Sequence, residues 1–157
     1  MYDEIALSYN KLHKEEQLKK LKIISKILKV KKENFLLDLG AGTGISTNYF
    51  KCKSFGIEPS LNMIKQSKKR NIVNATAEFI PFKSKSFDII IAITSFHNFS
   101  DFNKAIKEIK RVAKPKCEIV ITILKKSKNL KLIKSKLLKN FKMKEIEEEK
   151  DLILYSN

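Results

Sequence analysis

The sequence predicts an α/β fold, a doubly wound and mostly parallel sheet with helices on both faces. Three stretches carry that prediction. In the first, Leu36-Leu37-Asp38-Leu39 runs straight into Gly40-Ala41-Gly42-Thr43-Gly44, three glycines at alternate positions. This reads as a buried strand ending in a turn too tight for side chains, where glycine supplies positive φ and admits another molecule close to the backbone. In the second, eighteen residues beyond Gly40, Phe55-Gly56-Ile57 ends in Glu58-Pro59-Ser60. A second strand closing on an acid is the position that holds ribose hydroxyls in Rossmann-like sites. The third, Phe87-Asp88-Ile89-Ile90-Ile91-Ala92-Ile93, is nearly all apolar, as a parallel strand buried on both faces must be.

The remaining elements follow in order. Leu18, Leu21, Ile24 and Leu28 recur at helical spacing and predict an amphipathic helix over residues 13–29. Ahead of it, Tyr2 and Tyr9 suit either packing on a short helix or a lid whose aromatic faces cover a cation. A helix is expected over residues 43–51, beginning at Thr43 with free N–H groups for a polar ligand. Ser60 caps a further helix of about ten residues ending near Arg70. Residues 71–75 form the third strand, and residues 77–82 an irregular loop broken by Pro81. Residues 94–99 lie at the C-terminal end of the fourth strand, the edge where open α/β sheets bind ligands. Ser100 or Asp101 caps a helix that stops at Pro115, and residues 118–124 form the fifth strand. Leu130, Ile133, Leu137 and Phe141 mark the apolar face of a last helix, and residues 141–147 and 151–155 close the sheet as a hairpin.

Composition narrows the function classes. At 157 residues the chain suits one domain: a helix or lid over 1–30, a core over 34–124, and a basic helix with hairpin over 125–157. No apolar run approaches a membrane helix and the first residues lack a signal-peptide pattern, so the expectation is a cytoplasmic protein without membrane insertion. Cys52 and Cys117 lack metal or disulfide spacing and read as buried free thiols; with only His13 and His97, no metal site is expected. The net charge of +16 comes almost wholly from lysine, with nine lysines and no acid between Lys125 and Lys144. A solvated face accounts for such a run, and RNA is the partner that would use it otherwise.

The glycine spacing separates two cofactors. Nicotinamide sites carry G-x-G-x-x-G, whereas here Ile45 stands where the third glycine would fall, and Asp38 precedes the first. Asp followed by Gly-x-Gly-x-Gly resembles motif I of the class I S-adenosylmethionine-dependent methyltransferases. With residues 56–63, 77–82, 86–88, 97–99 and 111–115 in matching order, the chain resembles their type 11 group, which includes ubiquinone/menaquinone-biosynthesis enzymes. The resemblance implies a Rossmann-like, seven-stranded sheet with only the last strand antiparallel, and S-adenosylmethionine as cofactor.

Residue by residue, it implies that Asp38, Gly40, Ala41, Gly42 and Gly44 hold the methionine moiety and Glu58 the ribose. Pro59 and Met63 would lie against the adenine, with Ala77 and Glu78 at its edge. Thr94 and Ser95 would line the methionine end. Thr76 stands where the family commonly has an Asp facing the adenine amino group, and Lys116-Cys117 replaces a usual glycine pair. His97, the one group in its loop that titrates near neutrality, is the candidate base, and Tyr2, Tyr9 and Asn98 are candidate substrate contacts. The resemblance favours a small-molecule acceptor. An RNA or protein methyltransferase and a non-catalytic cofactor-binding partner subunit are the alternatives.

Overall fold

In the computed structural model, described over residues 2–156 with the side chains of residues 2, 3, 5–7 and 9 excepted, seven strands make one sheet. They are β1 (Phe35–Leu39), β2 (Lys53–Glu58), β3 (Ile72–Asn74), β4 (Phe87–Ile93), β5 (Ala113–Leu124), β6 (Met143–Glu147) and β7 (Asp151–Ser156). Their spatial order is β3-β2-β1-β4-β5-β7-β6. β1 to β5 pair in parallel, and β7 alone runs opposite to the other six, antiparallel to both β5 and β6. The helices are α1 (Tyr2–Ile27), α2 (Leu61–Lys65), α3 (Phe102–Val112) and α4 (Leu130–Asn140), with a 3-10 turn at Phe96–Asn98. The fold is the Rossmann-like sheet that the sequence predicts. Among the described residues, no helix is long and apolar enough to cross a membrane.

The apolar run of β4 is divided between two cores. Ile90 and Ala92 face Leu37, Leu39, Ile106, Ile109, Ile133 and Leu137, so α3 and α4 cover that side. Ile89, Ile91 and Ile93 face Leu21, Ile24, Leu28 and Leu36, so α1 covers the other. Period-two alternation therefore buries every second residue under a different helix layer. Asp101 caps α3, its carboxylate accepting from Lys104 N at 3.0 Å, and Ser60 caps α2 by accepting from Met63 N at 3.3 Å.

Several expected elements differ. α1 is one continuous helix that takes in the expected lid segment; Tyr2 and Tyr9 lie outside the described side chains, and Leu18 is exposed. Residues 43–51 form turns rather than a helix. Asn48 sends both its backbone N–H and its side-chain amide to the Gly44 carbonyl, and the hydroxyls of Ser46 and Thr47 go to Asp38. Side chains that bond locally in this way compete with helix propagation. α2 stops after five residues: beyond Ile64 the sequence offers no apolar residue to bury, and the Ser67 hydroxyl bonds Lys69 instead. α3 ends at Val112, three residues before Pro115, and the chain passes directly into β5. Residues 114–117 are a bulge in that strand, where the register against β4 jumps from Phe87↔Ala113 to Ile89↔Glu118. Cys52 and Cys117 are free but only half-buried.

Gly56 shows how closely the layers approach. It pairs with Asp38 across β1, and a Cβ on it would stand 2.6 Å from Ala41 Cβ and 3.0 Å from Thr47 Oγ1. Gly56→Ala should destabilise the protein by about 1–3 kcal/mol in urea unfolding, as overpacking does. An unchanged midpoint would mean that the glycine turn gives way freely.

Candidate active site

The parallel strands deliver their C-terminal ends to one edge. There β1 ends at Leu39, β2 at Glu58, β3 at Asn74 and β4 at Ile93. The chain order reverses between β1 and β4, which makes a topological switch point and opens a crevice outside the strand ends. Asp38, Gly40, Ala41, Gly42, Gly44, Glu58 and Ser95 all gather at this edge.

Gly40, Gly42 and Gly44 have φ of 74°, 58° and 91°, conformations that side chains resist. At Gly40 space is decisive too, because a Cβ would stand 2.5 Å from Ser95 Cβ. Ser95 occupies that space and donates its hydroxyl to the Leu39 carbonyl at 2.6 Å, joining the exits of β1 and β4. At Gly42 the nearest neighbour is the Met63 methyl, at 3.5 Å from where a Cβ would be. The turn is bound to β2 as well: Gly40 N and Ala41 N donate to the Ile57 carbonyl, both at 2.9 Å. Glu58 accepts from Gly42 N at 2.9 Å and from Ser60 N at 2.8 Å, so in this arrangement its carboxylate braces the loop. Each oxygen keeps a second lone pair for a ligand hydroxyl.

Asp38 is wholly buried. One oxygen accepts from Ser46 Oγ at 2.5 Å and Thr47 Oγ1 at 2.8 Å, and the other is buried without a partner. Burial pushes this carboxyl up to about 6, against the pull of the two hydroxyls. Glu78 is buried with Oε1 unpartnered, Ala77 is buried beside it, and Thr76 is exposed. The loop over residues 77–82 is pinned by Arg111, whose guanidinium grips Glu108 at 2.7 and 2.9 Å and donates to the Phe82 and Ile80 carbonyls at 2.9 Å. Pro59 and Asn98 are exposed.

After β4 the backbone turns through Thr94 with φ 52°, left-handed and strained for a β-branched residue. Its side chain is already engaged, with Lys20, Asp151 and Thr122. His97 is half-buried and its Nδ1 has no hydrogen-bond partner. Burial holds its pKa below the ordinary imidazole value, partly offset by the charge of Asp151. The thiols are poor nucleophiles: burial pushes Cys52 up and Cys117 up to about 12.

A methyltransferase-domain family matches residues 37–121, more than half of the chain and all of this edge. The chain belongs to the class I S-adenosylmethionine-dependent methyltransferases of type 11. An uncharacterised protein of Methanocaldococcus jannaschii is 35% identical over 90% of this chain and 57% of its own length. A demethylmenaquinone methyltransferase of Thermotoga maritima is 31% identical over 77% of this chain and 58% of its own. Among solved structures, a Thermotoga maritima S-adenosylmethionine-dependent methyltransferase, a possible histamine N-methyltransferase, has a TM-score of 0.65 at 26% identity, covering 88% of this chain and 66% of that one. A methyltransferase from Aquifex aeolicus has the same fold, with a TM-score of 0.71 at 20% identity, covering 86% and 87%. The chain thus spans a little over half the length of the curated relatives it matches.

The residues fit the family's cofactor. The unpartnered Asp38 oxygen can accept from a ligand amine, a Cβ would fill the space at Gly42, and the spare lone pairs of Glu58 suit a diol. The sequence reading missed Ser46 and Thr47, the Arg111–Glu108 fork, and Lys20 with Asp151. For Lys20 a signal existed, since it lies four residues before Ile24, on the apolar stripe of α1.

Asp38 makes stability depend on pH with a definite sign. The folded carboxyl keeps its proton to higher pH than the unfolded chain, so its contribution is full below about 3.8 and is lost as pH rises through about 6. Between pH 5 and pH 8 ligand-free protein should lose about 1.4 kcal/mol from this group. His97, with a lowered pKa, acts in the opposite sense. The difference in urea stability between wild type and Asp38→Asn should therefore grow across that window in favour of the variant; a constant difference would show that Asp38 stays ionised.

Proposed function

We infer that this chain transfers a methyl group from S-adenosylmethionine to a small-molecule acceptor at the crevice between β1 and β4. The observation that carries the reading is Asp38, a wholly buried carboxylate with one oxygen saturated and one free, two residues before the glycine turn. The names of relatives support a small acceptor, since one acts in demethylmenaquinone methylation and one solved neighbour is described as a possible histamine N-methyltransferase. When bound, the cofactor supplies a sulfonium methyl carbon already activated for in-line displacement.

The protein's work is then alignment and exclusion of water. Asp38 and the glycine turn would hold the methionine portion, and Glu58 would exchange part of its brace on Gly42 for the ribose hydroxyls. Met63 and Pro59 would flank the adenine, with Ala77 and Glu78 at its edge and the Thr76 hydroxyl available to its amino group. Ser95 and the Thr94 backbone would border the methionine end. His97, held neutral by burial, can take a proton from an acceptor or orient it, with Asn98 beside it. Holding an acceptor atom roughly 3 Å from that methyl carbon would be the chain's main contribution to the reaction.

Calorimetric titration with S-adenosylmethionine, S-adenosylhomocysteine and NAD tests the reading. Saturable binding of the two sulfur compounds and none of NAD is expected, with Glu58→Ala weakening both by at least about tenfold, the loss of a charged hydrogen-bond acceptor. Binding of neither would favour a partner subunit; equal binding to the folded Glu58→Ala protein would remove the ribose assignment.

One observation favours a second reading, an RNA acceptor. Lys104, Lys107 and Lys110 line the exposed side of α3, where Lys110 and, from α4, Lys136 donate to the neutral amides Asn140 and Asn103 at 2.8 Å, and Lys110 also lies 5.6 Å from the centre of the Phe141 ring. Beside them the exposed Phe79 ring has Lys104 Nζ 3.7 Å from its centre. RNA binding through this face would show a steep salt dependence in fluorescence anisotropy with single-stranded oligouridine, reduced by Lys107→Glu. A flat or absent signal at low salt rejects it.

A further inference from the structure

A buried ion pair stands behind the turn that follows β4. Lys20, on α1, and Asp151, the first residue of β7, are 131 positions apart, yet Lys20 Nζ lies 3.3 Å from Asp151 Oδ1. Their side chains are 7% and 0% exposed. Both converge on Thr94: Lys20 donates to its hydroxyl at 2.7 Å, and the hydroxyl donates to Asp151 Oδ2 at 2.7 Å. Thr122, buried in β5, accepts from Thr94 N at 2.8 Å and lies 3.2 Å from its hydroxyl. Four elements, α1, β4, β5 and β7, are thus tied to one residue.

Core packing alone does not call for this arrangement. Burying two charges incurs a desolvation cost that apolar side chains of the same size avoid. The residue they grip is also strained, a β-branched side chain at φ 52°, and strain of this kind persists only where the surroundings over-determine it. The next residue, Ser95, fills the space left by Gly40 and bonds the carbonyl at the end of β1. Two residues further is His97, whose environment includes the charge of Asp151.

We propose that Lys20, Asp151 and Thr122 are positioning residues, which act through Thr94 to hold the left-handed turn that fixes Ser95 and His97 at the cofactor edge. α1 and β7 thereby set the geometry of the site, although neither Lys20 nor Asp151 belongs to a motif there. The role in methyl transfer rests on the function proposed above; the control over the turn does not.

The test compares wild type with Thr94→Val, which keeps shape but removes the hydroxyl, and with Lys20→Met/Asp151→Leu, which removes the pair without leaving a lone charge. Thr94→Gly, able to adopt the same φ without strain, provides the background for a coupling measurement. Two readouts are taken on protein whose circular dichroism is native: the ring resonances of His97 without ligand, and the dissociation constant for S-adenosylhomocysteine. The His97 resonances should move in both Thr94→Val and the charge-free pair, and each should raise the dissociation constant roughly tenfold. In the Thr94→Gly background, removing the pair should change it less than about twofold, because coupled residues are not additive.

Unmoved His97 resonances with wild-type affinity in folded Thr94→Val would overturn the proposal, as would a full additive loss in the Thr94→Gly background. If wild type binds no S-adenosylhomocysteine, the proposed function fails, while the His97 resonances still decide whether the network controls the turn. Should the charge-free pair not fold, Thr94→Val gives the decision alone.

Discussion

The approach of β4 to β1 at their C-terminal ends governs the rest of the molecule. Ser95 can reach the Leu39 carbonyl at 2.6 Å only because residue 40 has no Cβ, which would otherwise stand 2.5 Å from the Ser95 Cβ. Once the two strands meet there, Gly40 must turn with positive φ, and its N–H and that of Ala41 fall on the Ile57 carbonyl. The glycine loop is then delivered to Glu58, whose carboxylate closes it from the side of β2. A contact between one hydroxyl and one backbone carbonyl thus helps determine where the residues at the ends of three strands stand.

Charge in the interior follows the same geometry. Asp38 is carried into the core by the strand that holds it, and its cost is reduced by two hydroxyls from the segment expected to be a helix. Those hydroxyls serve the carboxylate at the expense of the helix, so the site and the irregular segment have one cause. On the far side of β4, Lys20 and Asp151 neutralise each other around Thr94. Both arrangements place polar groups where packing would favour hydrocarbon, and both lie at the ligand edge. Buried polarity concentrated there is the expected mark of a site rather than of a scaffold.

The chain builds this edge from a compressed version of the architecture. The segment after β1 is a series of turns, α2 has five residues, and residues 75–86 pass from β3 to β4 without a helix. Order in that last passage comes from the Arg111–Glu108 fork, which reaches across from α3 and takes up its carbonyls. Side-chain hydrogen bonds substitute for a helix that the sequence is too short to make. Bidentate arginine suits this role because its planar donors meet a carboxylate and backbone carbonyls together.

The sequence by itself determined the elements whose signal is local. The bounds of β4 follow from its apolar run, the turn at 40–44 from its glycines, and the closing hairpin from an alternating strand and an apolar one around an acidic turn. The cap residue Ser60 was equally legible, and the cap of α3 was narrowed to Ser100 or Asp101, because a cap acts within three residues of itself. Asp38, the glycines and Glu58 could be placed at the strand ends for the same reason. Only the tertiary structure decided how far the helices run and which polar groups meet. Residues 43–51 look helical until Asp38, from another element, claims their hydroxyls. Thr94 looks like a ligand contact until Lys20 and Asp151, 131 residues apart, close on its side chain. Hydrogen bonds between distant residues leave no period or spacing in the chain, and they alone settle where a buried charge finds its partner.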